Sequence, residues 1–327
     1  MTSRHIWTLP FALLLLLCAG IAFGQTPSQD PPAPPSDAPN PSDPRYRLAV
    51  EVELVNLTTT VTDDRGQYID DLKGEDFQVF EDGQLQKVSF FSHDQKVPVS
   101  VGILIDNSGS MRHKLQQALQ TVREIALALS PEDEVFLITF SNNAELRQKF
   151  TRNSQDVQKA LRGIKSSGET AAYDAVQLGL KEMQNAMHNK KVLLLVTDGF
   201  DTRSKINATQ VEELLKRSET LLYAIGIDDD DNDPLVLRRT RYHIYHYMLS
   251  KLTTISGGMA YRLFTGRNYA LQNLASILLE ELHQQYTLSY YPTSVSDERW
   301  RNVEVKVSRP GVLIRTRAGY YVNQAAN

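Results

Sequence analysis

Three short polar segments carry the side chains with the clearest chemical potential: Asp106-Asn107-Ser108-Gly109-Ser110, Gly168-Glu169-Thr170 and Thr197-Asp198-Gly199. They offer two carboxylates, Asp106 and Asp198, and three hydroxyls, Ser108, Ser110 and Thr170. All five are hard oxygen donors, a set that suits Mg²⁺, with Mn²⁺ or Ca²⁺ as alternatives, and does not suit a soft metal. Other chemistries fit these residues less well. A magnesium-dependent phosphotransferase with its aspartate at 106 would want a second aspartate two positions later as general acid, and Ser108 stands there. Ser108 or Ser110 as a nucleophile would need an adjacent base, and no histidine lies in the three segments. The plainer alternative is that these polar residues only cap helices and turns.

The elements around the segments decide whether they can meet. Residues 97–105 form a nearly continuous apolar run, as expected of a strand in a parallel sheet covered on both faces. Leu115, Ala118, Leu119, Val122, Ile125, Ala126 and Leu129 follow at helical spacing. Apolar strands are expected at 135–140, 192–197 and 221–227, with an edge strand at 144–150 and helices between them. A helix at 247–255, a strand at 259–263 and a helix at 268–283 complete the pattern. Strands alternating with helices indicate an α/β fold with a doubly wound, mostly parallel, Rossmann-like sheet. In such a sheet ligands bind beyond the carboxyl ends of the strands, and all three polar segments fall there.

These residues resemble the von Willebrand factor A (VWA) family, whose metal-ion-dependent adhesion site is Asp-x-Ser-x-Ser plus a threonine and an aspartate from two later loops. Asp106, Ser108, Ser110, Thr170 and Asp198 match that pattern position by position and in chain order, and the resemblance covers about 97–283. Val61-Thr62-Asp63 and the terminal Ala318-Gly319-Tyr320-Tyr321 also look like a VWFA-related family described from acidobacteria. The resemblance implies a divalent cation, Mg²⁺ first, held by these five residues, with one coordination position left for a carboxylate of a protein partner. It implies a binding module of adhesion type and not an enzyme. A scaffolding or assembly component of an envelope complex is the alternative.

The rest of the chain sets the context. Residues 1–24 read as a signal peptide: Arg4 gives a positive start, 11–17 an apolar core, and Ala22-Phe23-Gly24 a small-residue exit. Export to the periplasm, cell surface or exterior is therefore expected, with no membrane span in the mature chain after cleavage. Residues 25–45 are a proline-rich spacer, with eight prolines between Gln25 and Pro44. Residues 46–96 and 284–322 alternate apolar and polar residues in β-rich compositions. Each segment is too short for a comfortable core, so the two are expected to pair into one β-sandwich with the α/β domain (97–283) inserted between them, leaving 323–327 as a tail. Cys18, the only cysteine, falls in the leader, which excludes disulfides and thiolate metal sites from the mature protein. A net charge of −4 gives no basic surplus to suggest nucleic acid. The acidic run at 228–233 lacks the glycine of an EF-hand and reads as a solvated loop. His243 and His246 have too few neighbouring ligands for zinc. Asn56 and Asn207 are glycosylation sequons by pattern only.

Overall fold

The computed structural model describes residues 54–93, 97–228, 247–264, 268–292 and 299–321. Strands β1 (Val55–Thr62), β2 (Phe77–Glu81), β3 (Gln84–Gln86) and β4 (Val88–Ser92) come first. The chain then alternates through β5 (Val99–Asp106), α1 (Leu115–Ala128), β6 (Glu134–Phe140), β7 (Ala144–Thr151), α2 (Ser154–Ala160), α3 (Ala172–Glu182), β8 (Lys190–Thr197), α4 (Ala208–Lys216) and β9 (Leu221–Asp228). A helix α5 (247–256), β10 (Ala260–Phe264) and α6 (Asn268–His283) follow. Strands β11 (Tyr286–Tyr290), β12 (Trp300–Val307), β13 (Leu313–Arg315) and β14 (Gly319–Tyr321) end the described chain. The leader, the spacer and both histidines at 243 and 246 lie outside the described residues, as does the acidic run after Asp228.

The central sheet has the order β10-β9-β8-β5-β6-β7. Its neighbours are parallel except for β7, which closes one edge antiparallel to β6. Every residue of β5 is buried, which explains its unbroken apolar sequence: helices cover both faces. One layer contains α1, α2 and α6, the other α3, α4 and α5. Helix α1 buries Leu115, Ala118, Leu119, Val122, Ile125 and Ala126, the stripe its periodicity requires. It stops at Ala128, and Leu129 turns extended two residues ahead of Pro131. Gly102 sits where a Cβ would lie 2.2 Å from Phe136 Cζ, so the close packing over mid-β5 needs glycine. The arrangement is mixed α/β, with a mostly parallel central sheet and flanking helices, as expected of the doubly wound pattern.

The residues on either side of the central sheet interleave. One four-stranded sheet has the order β13-β1-β11-β4 and another β14-β12-β2-β3. Both sheets therefore combine strands from before β5 with strands from after α6: they alternate in the first, and in the second the pair β14-β12 meets the pair β2-β3, with β1 antiparallel to β11 and β2 to β12. Val55, Leu57, Tyr286 and Leu288 of the first sheet pack with Phe77, Val79, Val303 and Val305 of the second in one apolar cluster. The Asp-Gly turn between β2 and β3 has both residues at positive φ, +48° and +81°, as a tight hairpin demands. The return breaks at Lys87, so β3 stays with β2 while β4 crosses to β11 in the other sheet.

Two buried carboxylates tie these layers. Glu81 accepts hydrogen bonds from Tyr290 Oη at 2.8 Å, Tyr320 Oη at 2.6 Å and Arg301 Nη1 at 2.7 Å, joining both flanking sheets. Glu281, near the end of α6, accepts from Tyr223 Oη of β9 at 2.6 Å, from Tyr261 of β10, and from Arg315 Nη2 of β13 at 2.5 Å. Burial and then the Glu281 charge push the Tyr223 and Tyr261 phenols far above their ordinary range, so both remain proton donors. Asn207 caps α4 by accepting from the Gln210 amide at 3.0 Å, and Asn56 accepts from Ser289 Oγ at 2.7 Å, so both sequon asparagines have local structural roles. No described helix is long and apolar enough to cross a membrane.

Candidate metal centre

Strand β5 lies between β6, which it reaches through α1, and β8, which arrives from the other side. That reversal of strand order opens a crevice at its carboxyl end, and Asp106 is its last residue. Asp106 is wholly buried. Its Oδ1 accepts from the Ser108 amide at 2.8 Å and its Oδ2 from Thr197 Oγ1 of β8 at 2.7 Å. Burial pushes its carboxyl up to about 6; the Thr197 hydrogen bond works against that rise, and nearby Asp198 adds to it. At neutral pH the group is a buried anion whose described hydrogen-bond donors are an amide and a hydroxyl.

The chain leaves Asp106 through Ser108, in extended conformation, into a 3₁₀ turn at Gly109–His113 anchored by the fully buried Met111. That turn places Ser108 Oγ and Ser110 Oγ 3.0 Å apart. Ser110 Oγ donates to Asp198 Oδ1 at 2.7 Å. Asp198 follows β8 directly, so Asp106, Ser108, Ser110 and Asp198 form one run of oxygen donors at the sheet end.

Thr170 is delivered by a separate loop. Gly168 adopts φ +80°, and a Cβ there would stand 2.7 Å from Asn142 Oδ1, so glycine is required twice over. Its carbonyl accepts from the Gly109 amide at 2.9 Å, docking the loop on the Ser108–Ser110 segment. Asn142, in the turn after β6, accepts from the Glu169 amide at 2.9 Å. Thr170 donates its amide to Thr202 Oγ1 at 3.0 Å, and its carbonyl accepts from the Thr202 amide at 2.8 Å. Thr170 is thereby buried and held from both neighbouring loops.

All five residues singled out in the sequence thus come to one end of the sheet, four in a hydrogen-bonded chain and Thr170 in the loop docked against it. Sequence reasoning missed their supports. Thr197 orients Asp106, Thr202 and Asn142 fix the Thr170 loop, and Lys114 donates from Nζ to Asp198 Oδ2 at 2.8 Å. The only signal for Lys114 was its place four residues beyond Ser110, one turn along the same segment. Asp228, first of the acidic run, pairs with Arg262 Nε at 2.6 Å.

The donor set fits a hard divalent cation. It is all oxygen, it includes a buried anion whose described hydrogen bonds come from neutral groups, and its hydroxyls are aligned by neighbouring loops. Among the described residues no group of three or more His, Cys, Asp or Glu gathers as a rival metal site.

Residues 101–200 match the family model of the von Willebrand factor type A domain, so this part of the chain is a VWA domain. Inter-alpha-trypsin inhibitor heavy chain H4 of Bos taurus is similar, at 26% identity over 57% of this chain and 21% of that protein. An uncharacterized protein of Synechocystis sp. is 30% identical over 33% of this chain and 26% of its own length. The chain spans about a fifth to a quarter of these curated relatives. Among solved structures, the von Willebrand factor type A protein from Catenulispora acidiphila aligns over 75% of this chain and 73% of its own, with TM-score 0.49 and 13% identity.

Proposed function

We propose that this chain is an exported binding module that recognises an acidic group on a protein partner through a divalent cation held by Asp106, Ser108, Ser110, Thr170 and Asp198. One observation carries the reading: the Asp106 carboxyl is wholly buried at the switch point of the sheet with only an amide and a hydroxyl as described hydrogen-bond donors, and the Ser108 and Ser110 hydroxyls stand beside it as further oxygen ligands. The VWA domain supports a protein-interaction or adhesion role. Mg²⁺ is the cation we favour, with Mn²⁺ and Ca²⁺ as alternatives. Bound there, such a cation supplies positive charge and Lewis acidity to an incoming oxygen. The protein residues fix where that oxygen must come: Thr202 and Asn142 hold the Thr170 loop, and Thr197 holds Asp106. Ser108 and Ser110 bond to each other and to Asp198, an arrangement for holding a ligand and not for releasing a nucleophile. Export rests on the leader pattern in residues 1–24.

An array of peptides each bearing a single Asp or Glu side chain tests the reading, probed with Mn²⁺ and again with chelator. Binding should be chelator-sensitive and restricted to the acidic peptides. Thr170→Ala should weaken it by about tenfold or more, in the range seen when metal-site groups are perturbed. Its urea midpoint should correspond to a stability change of only about 1 kcal/mol, because the Thr170 loop is held through backbone atoms that alanine keeps. Chelator-insensitive capture would remove the cation from the account.

A further inference from the structure

Lys114 closes the α1 end of the 3₁₀ turn that carries Ser110. Its amide donates to the Met111 carbonyl at 2.9 Å, and its own carbonyl accepts from the Ala118 amide at 3.0 Å. Its backbone is therefore fixed where the turn becomes α1, and its side chain, only 12% exposed, reaches Asp198 at the end of β8. The ammonium stands 2.8 Å from Asp198 Oδ2, while the other oxygen of the same carboxylate takes the Ser110 hydroxyl. The Asp198 side chain is itself only 1% exposed, so this is a pair shielded within the site and not a surface ion pair screened by solvent.

We propose that Lys114 makes cation binding at this centre conditional on an acidic ligand, by holding one of the two site carboxylates in an ion pair. The inference rests on the metal-binding reading given above. The charges make the case. Asp106 and Asp198 bring two negative charges and Lys114 returns one positive, so the protein offers the cation a site of one formal negative charge rather than two. Lys114 and a divalent ion then compete for the same carboxylate, which weakens binding of the ion alone. A loaded site with Lys114 still beside it carries one net positive charge, and that surplus favours an anionic ligand over a neutral one. By reciprocity the anionic ligand must strengthen retention of the ion by the same factor. Without the ammonium the loaded site would be formally neutral, and ion and ligand would bind more independently.

Mn²⁺ titration of the full chain, followed by the paramagnetic signal of free Mn²⁺, tests this on wild type, Lys114→Met and Lys114→Arg, with acetate as the carboxylate probe. Lys114→Met keeps the apolar stem and removes the charge. It should bind Mn²⁺ alone more tightly, by about tenfold on the scale usual for coupled sites. Its affinity should also respond less to acetate. Lys114→Arg restores the charge and should behave as wild type, which a purely structural role for the side chain would not produce. If Lys114→Met does not fold by circular dichroism, Lys114→Gln takes its place in the same comparison. Equal Mn²⁺ affinity in wild type and the charge-removed variant would overturn the role of Lys114 and leave the metal centre standing. Weaker binding in Lys114→Met would overturn it too, showing that the side chain merely shapes the site. Absence of saturable Mn²⁺ binding in all the proteins, with and without acetate, would instead overturn the metal centre itself.

Discussion

Replacing Glu281 by alanine is expected to cost about 3–5 kcal/mol of stability, the range found when one partner of a buried ion pair is removed. Glu281 is fully buried and serves Tyr223, Tyr261 and Arg315 from three different strands. Alanine removes the acceptor that the Arg315 guanidinium and two phenols share near the end of α6. The adjacent turn is tied as well, since Lys190 Nζ donates to the Leu282 carbonyl. Glu281→Gln should lose less, because the amide oxygen still accepts from one phenol although the charge is gone. Urea unfolding of the three proteins measures this. A loss below about 1 kcal/mol for the alanine variant would mean that water replaces the carboxylate and that the pair does not hold α6.

The second large effect has the opposite sign. Asp106→Asn should stabilise the metal-free protein, measured in chelator at pH 7, by about 1–3 kcal/mol. Burial raises the Asp106 carboxyl from 3.8 to about 6, so the folded protein holds that proton more tightly than the unfolded chain does. The contribution of Asp106 to stability is then fully present below its unfolded value near 4 and is lost as pH rises through about 6. Asparagine carries no charge at any pH. The advantage of the variant should therefore be largest above pH 6 and fade as pH falls toward 4. Thr197 can still engage the side chain, because its hydroxyl accepts as readily as it donates. Thermal melts of both proteins across that range decide the matter, and a destabilised variant at pH 7 would show that the charge of Asp106 is already compensated.

How far the residues announced this arrangement depended on whether their partners were near in the chain. The stripe of α1 and the apolar run of β5 are local patterns, and the structure places both within one or two residues of the expected limits. The five oxygen donors were legible because each sits at the end of a strand or in a loop of a repeating α/β pattern. Lys114 was not, since a lysine at a helix start reads as a solvated charge. Its burial depends on Asp198, 84 residues away. Arg301 is a similar case. It shares the inward face of β12 with Val303 and Val305, and the pairing with Glu81, 220 residues earlier, helps to make an arginine tenable there. The break between β3 and β4 has a local trace, since Leu85 and Val88 are three residues apart and out of step with a two-residue period, but periodicity does not say which sheet a strand joins. The short β14 went unread, with only three residues to signal it.

The claim on which the rest depends is that Asp106 helps to hold a divalent cation. Isothermal titration with Mg²⁺, Mn²⁺ and Ca²⁺, on wild type and Asp106→Ala, with and without acetate, examines it most directly. Saturable heat is expected for wild type with at least one of the ions, growing when acetate is present, and none is expected for a variant whose circular dichroism shows an intact fold. Equal heats from the two proteins, or none from either under every condition, would contradict a metal centre at the end of β5.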